Sequence, residues 1–269
     1  MRFDGHIHIM TPDENPSPDS LKRLRGGGVS GGLIISYPPQ SYQAGTIGFE
    51  ARLSQLLQHC GICGEFYPFF WTDPLDDTVF AQLEAAANAG VRGFKVICDR
   101  FYPYEPVPMA TFRRIAEMGY PLLFHSGILG DGKFSSLYNR PVFFECLFAI
   151  PKLRFALAHL GWPWCDEYLA TFLMFQVREN LHDDSPHMFI DNTAGTPHIY
   201  RMEALTRLFD VCRARDRIFF GTDLLLEDYR SQRAAELMAR DDGIYRELKL
   251  TESEIDAVYH NNLLAFIEG

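Results

Sequence analysis

Eight short apolar, β-rich runs recur at about thirty-residue intervals, with stretches of helical period between them. They read FDGHIHI, GGLIISYP, GEFYPFFW, VRGFKVI, YPLLFHSG, RFALAHLG, HMFIDNTAG and RIFFGTDLL. This alternation restricts the fold more than anything else in the chain. A strand followed by a helix returns to pair parallel with the previous strand, and a parallel sheet needs helices on its faces. Eight such units in 269 residues are most economically arranged as an α/β fold of the closed (β/α)8 TIM-barrel type, a single domain over 1–269, rather than a doubly wound open sheet.

The helical stretches carry their own ends. TIGFEARLSQLLQHCG is expected to close on Gly61, DDTVFAQLEAAANAG on Gly90, and PMATFRRIAEMG to run from Pro108 in its first turn to Gly119. TESEIDAVYHNNLLAFI opens with a capping box, Thr251 and Glu254. The GGG at 26–28 reads as a helix terminator, since no strand precedes it in P-loop fashion. With 47% hydrophobic and 14% aromatic residues, one large core can be filled. The formal charge of −10 argues against nucleic acid or an anionic membrane as partner. No apolar run is long enough to span a membrane, and the N-terminus lacks the basic-then-apolar order of a signal peptide, so a cytoplasmic location is expected. The six cysteines are scattered as reduced thiols; Cys60 and Cys63 have redox or zinc spacing but no partner pair.

Within that frame the histidines stand out. In an alternating strand Phe3, Ile7 and Ile9 point one way and His6 and His8 the other, about 7 Å apart, so that two imidazoles can grip one ion. His125 ends PLLF, His159 ends RFALA and Asp223 ends RIFFGT. In a barrel those strand ends form the C-terminal mouth, where active sites lie. The other five, His59, His182, His187, His198 and His260, fall in helical or loop stretches where solvated or capping roles are expected.

His6-x-His8, His125, His159 and Asp223, in this order on strands one, five, six and eight, resemble the signature of the amidohydrolase superfamily. The phrases DGHIHI, GFKVI, LFHSG, LAHLGWPW, FIDNTAG and FFGTD are similar to its amidohydrolase-2 (aminocarboxymuconate semialdehyde decarboxylase-like) branch. The resemblance implies that His6, His8, His125 and Asp223 hold a divalent metal, with His159 beside it as acid, base or ligand. Neutral imidazoles and a carboxylate suit zinc first, with manganese or another divalent ion as alternatives. Such an ion lowers the pKa of bound water from about 15.7 toward about 7. Asp223 and His159 are then the catalytic pair, Asp223 moving the proton during attack.

Lys95 faces into the barrel from the fourth strand. In two-metal members of the superfamily a lysine there is carboxylated and bridges the ions; in the single-metal branch it meets an anionic substrate or a carboxylate such as Asp99 or Asp191. One ion is favoured, two if Lys95 is carboxylated. The loops after the strands are rich in aromatic residues and proline. Tyr37, Trp71, Tyr102 and Trp162 are candidate walls, Arg100 and Arg140 candidate carboxylate clamps, and Asp191 and Asn192 end the seventh strand toward the pocket. Lys95, Arg100, Trp162 and Asp191 form the expected substrate-binding set. GILGDGKFSSLYN has glycines suited to a lid. The expected activity is hydrolysis of an amide, lactone or related carboxyl derivative of a small molecule. The alternative is non-oxidative decarboxylation of an aromatic or unsaturated acid; some decarboxylases of the branch carry glutamate where this chain keeps His6. A homo-oligomer is compatible with the sequence. A barrel kept only for binding would have lost a ligand, and none is missing.

Overall fold

The computed structural model describes residues 1–12, 17–42 and 45–269. The strands are β1 (Phe3–His8), β2 (Gly31–Ile35), β3 (Phe66–Trp71), β4 (Gly93–Val96), β5 (Leu122–Phe124), β6 (Arg154–Ala158), β7 (His187–Asn192), β8 (Ile218–Phe220) and β9 (Leu224–Leu225). All pair parallel, in the order β8-β7-β6-β5-β4-β3-β2-β1-β9. Since β8 and β9 follow one another directly, one stretch of chain pairs with β7 in its first half and with β1 in its second, which closes the barrel. Asp223 sits at the break between the halves, its N–H donating to the His6 carbonyl at 2.9 Å.

The helices are α1 (Pro18–Gly26), α2 (Phe49–Cys63), α3 (Val79–Asn88), α4 (Pro106–Glu117), α5 (Cys165–Glu179), α6 (His198–Asp210), α7 (Ser231–Glu247), α8 (Glu252–Asp256) and α9 (Asn262–Glu268). Gly90 and Gly119 follow α3 and α4 with positive φ, and Thr251 and Glu254 form the capping box of α8. Three local expectations are corrected. Helix α2 runs through Gly61 and ends at Gly64, where φ is 83°, because Leu53, Leu56, Cys60 and Cys63 continue one buried face and that burial outweighs the cost of a mid-helix glycine. His59 lies on the same helix and is buried, not solvated. Between β5 and β6 the connection is two 3-10 segments, Ser136–Asn139 and Pro141–Ala149, in place of an α-helix.

Two layers of core follow from strand alternation. Ile34, Phe70, Phe94, Phe124, Leu157 and Ile190 face outward into the helices. Leu33, Ile35, Phe69, Leu123, Phe189 and Phe219 fill the barrel, whose floor is closed by Leu263, Phe266 and Ile267 of α9. The Phe266 ring lies 5.3 Å from Phe219, 5.5 Å from Phe189 and 5.9 Å from Phe69. Phe3 belongs to this inner layer, not to the face of Ile7. The reason is a bulge: Asp4 pairs with Gly32 and Ile7 with Ile34, so one extra residue of β1 lies between them and the alternation shifts. Gly5 occupies the bulge, where a Cβ would stand 2.6 Å from the Phe219 ring.

Candidate metal centre and cavity

The bulge turns His6 and His8 inward together at the C-terminal mouth. His6 Nε2 lies 3.0 Å from His8 Nε2, and Asp223 Oδ1 is 3.5 Å from each. A tetrahedral zinc with bonds of about 2.0–2.1 Å has ligand–ligand edges of about 3.3 Å, so three donors stand at the separations one ion requires. His6, His159 and Asp223 form a second set, offering one ligand atom each within 4.8 Å of one another. His125 stands one ring further on, 4.8 Å from His159 between centroids, with its Nε2 at 3.0 Å from the Ile128 carbonyl.

His159 and Asp223 both have left-handed backbones, each with φ 61°. For residues other than glycine this costs about 1–3 kcal/mol and persists where surrounding bonds enforce it. Around Asp223 the enforcement comes from Asp4, fully buried, which accepts from the Thr222 N–H at 2.9 Å, the Thr222 hydroxyl at 2.6 Å and the Tyr229 hydroxyl at 2.9 Å. Burial lifts the Asp4 carboxyl to about 6 against those bonds. At His159 the carbonyl accepts from Thr196 Oγ1 at 2.7 Å.

Burial, followed by nearby positive groups such as Lys95, holds His6, His8 and His159 well below the ordinary histidine range and His125 at about 3, so the imidazoles are neutral. That is the form that ligates metal. The Nδ1 atoms of His8 and His159 and Nζ of Lys95 are buried and have no hydrogen-bond partner among the described residues. Burial pulls Lys95 down to about 8 while the charges of Asp191 and Asp223 pull it up. Burial also raises Asp191 and Asp223, and Lys95 lowers both. A donor set of neutral imidazoles around one open carboxylate fits a divalent cation.

The cavity above these residues has a volume of about 330 Å³; Trp71, Tyr42, Trp162, Ile97 and Leu129 provide its apolar walls and Lys95, His8, His125, His159 and Asp223 its polar ones. Such a volume suits a small molecule. The remaining expected residues lie elsewhere. Asp191 is behind His6, with Oδ2 2.5 Å from His6 Nδ1 and Oδ1 accepting from Thr193, so neither oxygen faces the cavity. Asn192 is also buried behind the wall. Arg100 stands off the cavity, donating to Asp73 at 2.5 Å and Asp99 at 3.0 Å, and Asp99 makes no hydrogen bond to Lys95. Arg140 is paired with Glu167 at 2.5 Å. Tyr37 is buried in the outer core, and Tyr102 stacks on Tyr104 with centroids 5.1 Å apart. Ile128, Leu129 and Gly130 of the GILGDGKFSSLYN segment reach the cavity rim. Gly195 and Gly221, absent from the expected set, are supports. A Cβ at Gly195 would lie 2.7 Å from His159 Nδ1, and one at Gly221 2.8 Å from His6 Cβ.

Among the described residues, no helix is long and apolar enough to cross a membrane. Residues 41–266 match the family model described as amidohydrolase. No curated protein matches the chain. Among solved structures, a probable 2-pyrone-4,6-dicarboxylic acid hydrolase from Acinetobacter baumannii with citric acid bound is similar with TM-score 0.65 and 11% identity, covering 100% of this chain and 99% of that one. A 2,6-dihydroxybenzoate decarboxylase complexed with 2,6-dihydroxybenzoate gives TM-score 0.64 and 14% identity over 100% and 98%. An amidohydrolase from Burkholderia ambifaria with bound Zn gives 0.57 and 12% over 96% and 69%. At these identities the likeness is one of fold.

Proposed function

The chain belongs to the amidohydrolase family, and from that premise we propose that it is a metal-dependent hydrolase cleaving an amide, lactone or related carboxyl derivative of a small molecule. The observation that carries this reading is the triangle of His6 Nε2, His8 Nε2 and Asp223 Oδ1, with edges of 3.0, 3.5 and 3.5 Å, opening on the cavity. These three hold one divalent ion, zinc before manganese, and His159 or His125 completes the set. When bound, such an ion supplies Lewis acidity and brings the pKa of water toward about 7.

The chain's own groups do the rest. The Asp223 side chain is 40% exposed, to the cavity, and takes the proton of the attacking water before returning it to the leaving group. His159, with a neutral ring and an Nδ1 that has no hydrogen-bond partner among the described residues, orients the water or the substrate carbonyl. Lys95 sets its ammonium against negative charge on the substrate, and Trp71, Tyr42 and Trp162 enclose a flat body while excluding water. The same buried amine beside aromatic walls favours a second reading, non-oxidative decarboxylation of a carboxylated ring. The pyrone-dicarboxylate hydrolase and the dihydroxybenzoate decarboxylase among the similar structures support a planar acid or its derivative under either reading.

The test is metal analysis of protein purified without chelator, then a panel of lactones, N-acyl amino acids and aromatic acids. Acid release without carbon dioxide supports hydrolysis, and carbon dioxide release moves the assignment to the second reading. Two ions per chain with a carboxylated Lys95 replace the one-ion centre. A metal-free protein that gains no turnover on metal addition overturns both readings.

A further inference from the structure

Behind the cavity, the end of β7 is tied down from two helices away. Arg201 of α6, fully buried, donates to the Asn192 carbonyl at 2.7 Å and to the Thr193 carbonyl at 3.3 Å. The same guanidinium reaches Asp241 of α7 through Nε at 2.8 Å and Nη2 at 2.5 Å. Asn192 Nδ2 adds a bond to the Tyr245 hydroxyl at 3.0 Å. A buried ion pair is costly to desolvate and is weak evidence for stability on its own. What this one secures is the pair of peptide groups just beyond Asp191.

From there the bonds run to the metal centre. The Thr193 hydroxyl donates to Asp191 Oδ1 and lies 3.2 Å from His6 Nδ1, and Asp191 Oδ2 lies 2.5 Å from the same nitrogen. Gly221 leaves the space for this: a Cβ there would stand 2.9 Å from Thr193 Oγ1 and 3.1 Å from Asp191 Oδ1. Neither Arg201 nor Thr193 lines the cavity.

We infer that Arg201 and Thr193 are positioning residues for metal binding. Arg201 holds the end of β7, Thr193 orients the Asp191 carboxylate, and Asp191 keeps the proton of His6 on Nδ1 so that Nε2 presents its lone pair beside His8. The inference rests on His6 being a ligand. Carboxylates and their partners behind ligating histidines fix ring orientation and tautomer, and their loss costs about 10–100-fold in metal affinity.

The experiment measures zinc affinity by competition with a chromophoric chelator at fixed pH, with circular dichroism and melting as checks of fold. The variants are Thr193→Val, Thr193→Ser and the double substitution Arg201→Met with Asp241→Leu. The double variant removes the Arg201–Asp241 pair together; Arg240, with a side chain 15% exposed, loses its 2.8 Å bond to Asp241 in the same step, so melting is read beside the affinity. Thr193→Val is expected to weaken zinc about 10–100-fold, the double variant by a similar factor, and Thr193→Ser to stay within about threefold of wild type. A merely structural role would lower melting without this split between valine and serine. Zinc affinity within about twofold of wild type in both Thr193→Val and the folded double variant overturns the inference; if the double variant does not fold, the Thr193→Val and Thr193→Ser pair decides. A wild-type chain that binds no zinc overturns instead the metal reading beneath it.

Discussion

Gly195→Ala places one methyl group against one catalytic candidate. The Gly195 backbone lies outside the left-handed region, so alanine brings no conformational penalty there, and its Cβ would meet His159 Nδ1 at 2.7 Å, Cγ at 2.9 Å and Cβ at 3.0 Å. Ordinary contact begins near 3.4 Å, so the imidazole must withdraw by about 0.7 Å. It has little room to do so: His6 lies 5.4 Å and His125 4.8 Å away between ring centroids, and the His159 carbonyl is held by Thr196. A displacement of about 1 Å in a catalytic group costs about 100-fold, which puts the loss in kcat at about 10–100-fold. Overpacking adds a destabilisation of about 1 kcal/mol at this exposed glycine, or about 2–4 °C in Tm. The assay is steady-state kinetics at saturating zinc on the substrate found by the panel, with Tm and zinc affinity measured alongside. In a His159→Asn background the alanine should cost almost nothing further, because the group it displaces is already gone. A Gly195→Ala enzyme with kcat within about twofold of wild type refutes the argument and removes His159 from the reacting geometry.

Asp223→Asn keeps an oxygen for coordination but loses the proton acceptor, so kcat should fall by about 10²–10⁴-fold with zinc still bound, as equilibrium dialysis would show; restoration of the rate by excess zinc would make Asp223 a ligand only. His8→Ala should abolish zinc binding and leave far-ultraviolet circular dichroism unchanged, since the barrel is filled by Leu33, Phe69, Phe219 and Phe266 independently of any ion; unfolding on chelation would contradict this. At the other end of the barrel, Glu179 accepts from Arg217 at 2.8 and 3.1 Å and faces His187. Burial works to raise its pKa, but those partners outweigh it and hold the carboxyl below the usual 4.5. The stability it contributes is therefore present above pH 4.5 and lost as pH falls through the lower folded value. Glu179→Gln should cost about 1 kcal/mol at neutral pH, with the Tm gap to wild type closing in acid; a gap independent of pH would remove the ion pair as its cause.

Periodicity makes the barrel legible because each strand is a local apolar run and the first four helices stop at local glycines. His6, His8, His159 and Asp223 are visible for the same reason: a polar residue that closes an apolar run stands out from its neighbours, and the barrel carries every such strand end to one mouth. What stays hidden depends on contacts made across the ring. Phe3 changes face through a bulge that only pairing with β2 reveals. Asp191 reads as a pocket residue because it ends its strand at the mouth, yet His6, 185 positions away, takes its carboxylate. Arg100 carries the right charge in the right loop, but Asp73 and Asp99 claim it first. Asp4 sits in plain view beside the two histidines, and its work is done on Thr222 and Tyr229, far along the chain. Gly195 and Gly221 matter for side chains they lack, and no spacing rule marks such a place.

The plug of α9 has a consequence for traffic. With Phe266 wedged among Phe69, Phe189 and Phe219, the barrel floor is closed and the cavity above it is a blind alley. Whatever arrives through the mouth leaves the same way, past walls to which Trp162, Tyr42 and Leu225 contribute. In the proposed reaction, reactant and product therefore share one passage, and each turnover would end only when the cavity empties back through its own door.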